Sequence, residues 1–190
     1  MTFARGIELE EFAIRLGAVP SASQAEATDA EAGSLVFNGD VGVARLGVSG
    51  AWVFAVEYGV SRGTQVEALK EISHGGVEAV NLDPQVSHPP PMFSYAADGA
   101  LRCSYGLGEE WQRWGTDPDL LNEEMRAAGI LMPTGDYLQV GRERLGQRVA
   151  MSLGILEKYF ALSLPRDAVE NGQLRLIATS GTPPLELLDR

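Results

Sequence analysis

The 190-residue chain contains one cysteine, Cys103, and two histidines, His74 and His88. A single thiol rules out an intramolecular disulfide, and so few Cys and His side chains rule out the zinc-ligand patterns. Lysine is scarce as well. Two lysines and 13 arginines stand against 26 acidic residues, for a net charge of −11. That balance excludes nucleic acid and an anionic membrane surface as general partners. Long apolar runs are also missing: no stretch approaches the roughly 20 residues needed to span a bilayer. Arg5, Glu8, Glu10 and Glu11 interrupt the region where a signal peptide carries its apolar core. The expectation is a cytoplasmic protein.

The rest of the composition is that of a folded chain, 45% hydrophobic and 22% charged, which excludes bulk disorder. The length suits one domain, with about 70% of the extended surface buried and no need of a metal or disulfide. Acidity is spread along the chain. Residues 1–40 hold seven acids and two arginines, residues 41–100 six acids and three basic residues, and the remainder thirteen acids and ten basic residues. No charged tail emerges, and a negative face for a basic partner has no location in the linear sequence.

Periodicity divides the chain into elements. Glu8–Leu16 reads as a short amphipathic helix, with Phe12 and Leu16 on one face and Gly17 as its stop. The small, polar, acidic run Ser21–Gly33 reads as a surface loop or a weak helix. From Leu35 the period changes to two. Val41, Val43 and Arg45, then Trp52, Phe54 and Val56, predict two strands joined through Gly47-Val48-Ser49-Gly50. A helix over 63–73 and a strand over 77–82 follow, and the four prolines between Asp83 and Pro91 impose an extended loop.

Asp98-Gly99 marks a hairpin within Met92–Tyr105, because a type I′ turn needs positive φ at both central residues. The simplest register pairs Ala97 with Ala100, Tyr95 with Arg102 and Phe93 with Ser104. Cys103 then shares a face with Met92, Ser94, Ala96, Leu101 and Tyr105, as a small buried hydrophobe. Thr116-Asp117-Pro118-Asp119 predicts a helix start running to Ala128, with Asp117 as cap. The stripe Leu138, Leu145, Val149, Leu153, Leu156 and Phe160 predicts a long helix within 138–161. A short turn at Pro165-Arg166-Asp167, a strand over Gln173–Thr179 and a tail from Thr182 complete the chain. The expected fold class is α+β, a single domain over 1–190. Its curved, mainly antiparallel sheet spans roughly 35–105, and the helices of 115–171 and the N-terminal helix cover one face. The C-terminal strand and tail occupy 173–190.

No catalytic motif appears. Cys103 sits mid-strand, without the helix N-terminus that lowers a thiol pKa, so His74 or His88 has no activated partner. Gly47–Gly50 lacks the spacing of a nucleophile elbow, Gly106-Leu107-Gly108 lacks a third glycine, and neither a P-loop nor a calcium loop occurs. No metal site and no cofactor are expected. The segment with the character of a binding surface is Glu109-Glu110-Trp111-Gln112-Arg113-Trp114. Trp111, Arg113 and Trp114 combine large buriable area with fixed donors, the composition of interface anchors. The opposing reading has both indoles packed beneath the hairpin and Arg113 paired with Glu110 or Asp117. His88–Pro91 reads as a stiff connector in preference to a proline-groove ligand, and Trp52 as core.

Three stretches in order, Trp52-Val53-Phe54-Ala55-Val56-Glu57, Phe93-Ser94-Tyr95-Ala96-Ala97-Asp98-Gly99 and Arg113-Trp114-Gly115-Thr116-Asp117-Pro118-Asp119, resemble an uncharacterised domain-of-unknown-function family of actinobacterial proteins. Arg5-Gly6-Ile7 and Leu16-Gly17-Ala18 are similar too, and the resemblance covers about residues 3–170. It implies a shared domain but no activity, catalytic residue or cofactor. The leading expectation is a non-enzymatic interaction module with a protein partner, immunity-like or regulatory. The rival is a small hydrolase or transferase using carboxylates in a cleft, which needs no short linear signature. A self-assembling structural protein is a third class, distinguished by concentration-dependent mass.

Overall fold

The computed structural model describes residues 1–18, 25–36, 42–84, 90–134, 136 and 144–179. Along the chain come β1 (Thr2–Arg5), α1 (Leu9–Arg15), β2 (Glu26–Ala27), α2 (Asp29–Val36), β3 (Gly42–Ser49) and β4 (Trp52–Gly59). Then follow α3 (Val66–Ile72), β5 (Glu78–Asp83), β6 (Met92–Ala97), β7 (Ala100–Gly106) and β8 (Glu109–Trp114). Last are α4 (Asn122–Ala127), α5 (Leu145–Phe160), α6 (Arg166–Glu170) and β9 (Leu174–Ala178). The nine strands described form one open antiparallel sheet in the order β2-β9-β3-β4-β1-β5-β6-β7-β8.

Residues adjacent in the central strands enter different cores, since successive side chains leave a strand on opposite faces. Phe3, Trp52, Phe54, Val80, Phe93 and Tyr95 pack with Met125 of α4 and Ile155, Leu156 and Phe160 of α5. Ala4, Val53, Ala55, Ala79 and Ala96 pack with Phe12 and Ala13 of α1 and Leu69 and Ile72 of α3. The expected single helix-covered face is therefore corrected: helices build cores on both faces. Trp52-Val53-Phe54-Ala55 alternates in size, not in polarity, and a large/small alternation is easily mistaken for buried/exposed. The small side chains let α1 and α3 approach one face, while aromatic residues fill the space under α5. Trp52, 1% exposed, donates from its indole nitrogen to Phe160 O at 3.0 Å, and the Arg5 guanidinium lies 4.7 Å over its ring.

The sheet also extends beyond the expected 35–105. Thr2–Arg5 lies at its centre, with Phe3 opposite both Phe54 and Val80; four residues are too few to show a period. Leu35 lies in the last turn of α2 instead of opening a strand. Ser49 pairs with Trp52, so the β3–β4 turn is Gly50-Ala51, shifted from the expected Gly47–Gly50. Helix α2 and strand β2 lie within or overlap the stretch read as a surface loop or a weak helix; α2 fits the second alternative, and β2 fits neither. The helix opens with a capping box: Thr28 N–H donates to Glu31 Oε2 at 2.8 Å and Glu31 N–H to Thr28 Oγ1 at 3.3 Å, a Thr-x-x-Glu signal present in the sequence. Asp98 and Gly99 have φ of 51° and 76°, as the hairpin reading requires. Beyond Ala96↔Leu101, however, Tyr95 faces Cys103 and Phe93 faces Tyr105. Arg102 is the extra residue of a bulge, which inverts the parity of all that follows. Cys103 and Tyr105 thus join Phe93 and Tyr95, with the Phe93 and Tyr105 rings 4.9 Å apart. Helix α4 begins five residues after the expected cap at Asp117, because Asp117–Leu121 forms turns closed by Leu120 N–H to Asp117 O and Asn122 N–H to Asp119 O. The long helix starts among the described residues at Leu145. Residues 21–24, Val41, His88 with most of the proline segment, Leu138 and the tail from Thr182 lie outside the described residues.

Arg45 is fully buried on the face of Val56 and Leu176, its cross-strand neighbours. Its Nε donates to Ala27 O at 2.9 Å. Its Nη1 reaches Asp29 Oδ1, Tyr58 Oη and Val169 O at 3.3, 3.1 and 2.9 Å, and its Nη2 reaches Gly172 O at 2.9 Å. One planar fork of donors thereby satisfies carbonyls from the β2 and α6 regions, which no neutral side chain of this size can do. Replacement by methionine keeps the volume but strands three carbonyls, each at a cost of about 1–3 kcal/mol if it stays buried. R45M is expected to lose at least about 3 kcal/mol of stability, read as a lower urea midpoint, and R45K to recover only part of it.

Candidate functional site

Strand β8 forms the last strand of the sheet on the side away from β2. Its pairing with β7 is irregular. Gly106 faces Glu109 and Ser104 faces Trp114, so β8 advances five residues while β7 advances two. The chain then closes onto β7 again, with Thr116 N–H to Leu101 O at 3.0 Å and Asp117 N–H to Arg102 O at 2.8 Å. Gly115 allows this approach: its φ is 128°, and a methyl there would strike Arg102 O.

This bulged margin carries all three sequence-derived candidates. Trp111 is 53% and Trp114 44% exposed, so neither indole is packed away beneath the hairpin. Arg113 is turned inward between them. It donates through Nε to Asp119 Oδ1 at 2.9 Å and through Nη1 to Glu110 O at 3.2 Å. The Asp119 carboxyl is held below its ordinary range by that guanidinium. Arg113 therefore stiffens the margin, while the indoles present its apolar area.

Glu110, unreadable in the sequence beside Glu109, is wholly buried. Its Oε1 accepts from Gly108 N–H at 2.8 Å and from the Ser152 hydroxyl of α5, while its Oε2 has no hydrogen-bond partner. Ser152 is fully buried too, and Arg148, one helical turn earlier, is 3% exposed. Tyr105 lies in the same core; burial first, and then the charges of Cys103 and Glu110, push its phenol well up. A carboxylate bonded to a serine hydroxyl is the pairing used to activate a nucleophile, but here both groups are sealed from solvent. What this pair does in the fold is fasten β8 to α5.

A cavity of about 180 Å³ lies elsewhere, lined by Met1, Phe3, Leu82, Leu153, Glu157, Leu162, Ser163 and Leu164. It is smaller than the several hundred Å³ usual for small-molecule sites, and Glu157 is the one carboxylate side chain on its wall. The two convergent acids that a hydrolytic cleft needs are not brought together there. Among the described residues, no three His, Cys, Asp or Glu side chains are grouped to hold a metal ion, and no helix is long and apolar enough to cross a membrane. Cys103 is buried, with its thiol 3.6 Å from Pro118 O; His74 is exposed near the Asp98-Gly99 turn.

By architecture this is a mixed α/β protein built on one open antiparallel sheet whose bulged end strand displays two tryptophans. Residues 1–163 match the family of unknown function DUF6461, and the chain belongs to that family. No curated protein and no solved structure matches it. The matched residues include the three stretches that carried the resemblance, whereas α6 and β9 lie beyond them.

Desolvation pushes the Cys103 thiol from an ordinary 9.0 up to about 12. The folded state then holds the thiol proton more tightly than the unfolded chain does. The associated stability is complete below about pH 9 and is lost as pH rises toward 12. At pH 8, alkylation by iodoacetamide is expected to be on the order of 100-fold slower in native than in urea-unfolded protein. Between pH 8 and 10.5, wild type should lose more stability than a C103A variant in urea titrations.

Proposed function

We propose that the chain acts as one α+β domain, a non-enzymatic protein-interaction module of the cytoplasm, immunity-like or regulatory, that holds its partner through Trp111 and Trp114. The observation that carries this reading is the exposure of two indoles on a margin braced by Arg113 and the buried Glu110. Large aromatic side chains left in water lose the transfer free energy that burial would supply, and a partner surface recovers it. Arg113 is already held by Asp119, so in this reading it positions the indoles and is not itself the contact.

The mode of docking follows from the same geometry. An end strand with free backbone edges invites strand addition, and bulges and charges are the devices that discourage it. The five-against-two pairing in β8, with Glu109 and Arg113 on the strand, favours docking by side chains over extension of the sheet.

The test is a W111A/W114A double variant. Both side chains are about half exposed, so stability should stay within about 1 kcal/mol of wild type. Immobilised wild type should retain a stoichiometric partner from extracts of the source organism, identified by mass spectrometry and rebound as purified protein. The double variant should not retain it. Unfolding of the variant would place the indoles in the core, and undiminished capture would remove them from the interface.

A further inference from the structure

The margin that carries the indoles is also acidic. Residues 109–126 hold six acids, Glu109, Glu110, Asp117, Asp119, Glu123 and Glu124, against Arg113 and Arg126. Glu110 is buried, while Asp119 and Glu123 are exposed and Glu109 and Asp117 are half-buried. Arg113, the basic side chain set between the tryptophans, is only 18% exposed and is matched by Asp119, so it presents no free positive charge to an approaching cation. Asp117 and Asp119 follow the bulge within five residues of Trp114. Asp119 is anchored to Arg113 and to Asn122 at the start of α4, which holds its carboxylate beside Arg113 of β8.

Resting on the interaction reading above, we infer that the partner presents a lysine- and arginine-rich segment, whose cations lie on Trp111 and Trp114 and against Glu109, Asp117 and Glu123. Two physical terms converge on that chemistry. The indole face attracts ammonium and guanidinium groups through its quadrupole, more strongly for Trp than for Tyr or Phe. Glu109 on the strand and the acids that follow it in the chain add an attraction that steers a cationic segment toward the margin and disfavours an acidic one. A purely apolar partner would use the tryptophans but would leave the carboxylates desolvated without compensation.

The probe is an eight-lysine peptide, titrated while tryptophan emission is recorded; Trp52 is sealed in the core and contributes a constant background. The peptide should shift the emission of the exposed indoles. Its affinity should fall by about 10-fold or more between about 50 and about 250 mM salt, where screening becomes effective. Because the whole chain is acidic, location is tested with two variants of equal charge. E109Q/D117N/E123Q should weaken binding by at least about 5-fold. E8Q/E26Q/E170Q, neutralised at exposed acids just before α1, on β2 and on α6, should change it by less than about 2-fold. Equal weakening by both variants, or equal binding of an eight-glutamate peptide, overturns the inference. If a captured partner depends on the indoles yet binds without a basic segment or salt dependence, this inference falls and the interaction reading stands. If capture ignores the indoles, both fall.

Discussion

Phe3 and Ala4 are chain neighbours that lie in different cores, and the architecture answers that constraint. A sheet whose central strands are apolar on both sides needs helices on both sides, or it exposes a face to water. The division is by size. Aromatic residues of β1, β4 and β6 fill one side together with α4 and α5, while alanines and a valine of the same strands lie flat beneath α1 and α3. Removing either layer would uncover the sheet, so sequence-distant helices stabilise the same central strands.

Polar groups buried in this arrangement act as fasteners. Arg45 gathers acceptors from the β2 and α6 regions around one guanidinium. Ser152 and Gly108 bind Glu110, tying the last strand to α5, and Trp52 binds the end of that helix. Two of Arg45's acceptors, Val169 and Gly172, lie past residue 163, where the family match ends. Strand β9, also past that point, sits between β2 and β3. The segment after the family match is therefore an integral part of this fold, closing the region around a buried charge.

Much of this was legible in the sequence. The β6–β7 hairpin followed from Asp98-Gly99, helix α5 from its three-and-four spacing, though Leu145 and Leu153 of that stripe are exposed, and β9 from its apolar run. What escaped has identifiable causes. Strand β1 is too short to show a period, α2 reads only as a weak-helix alternative to a loop when its capping box at Thr28 and Glu31 is not counted, and a one-residue bulge at Arg102 reversed the face assigned to Cys103. Glu110 carried no linear signal at all. In sequence it is one acid beside another, and only the approach of α5 separates a buried carboxylate from a surface charge.

The chain's local chemistry determined most of its longer helices, strands and turns, because propensity, period and turn residues act over a few positions. It also set the acidic balance and excluded an intramolecular disulfide, since both follow from composition. The tertiary structure decided which side of each strand faces which helices, where the sheet ends, and which polar side chains leave water. Those outcomes depend on long-range pairing, where one extra residue inverts a face and a contact such as Glu110 with Ser152 spans 42 positions. No window along the chain contains both partners of such a contact.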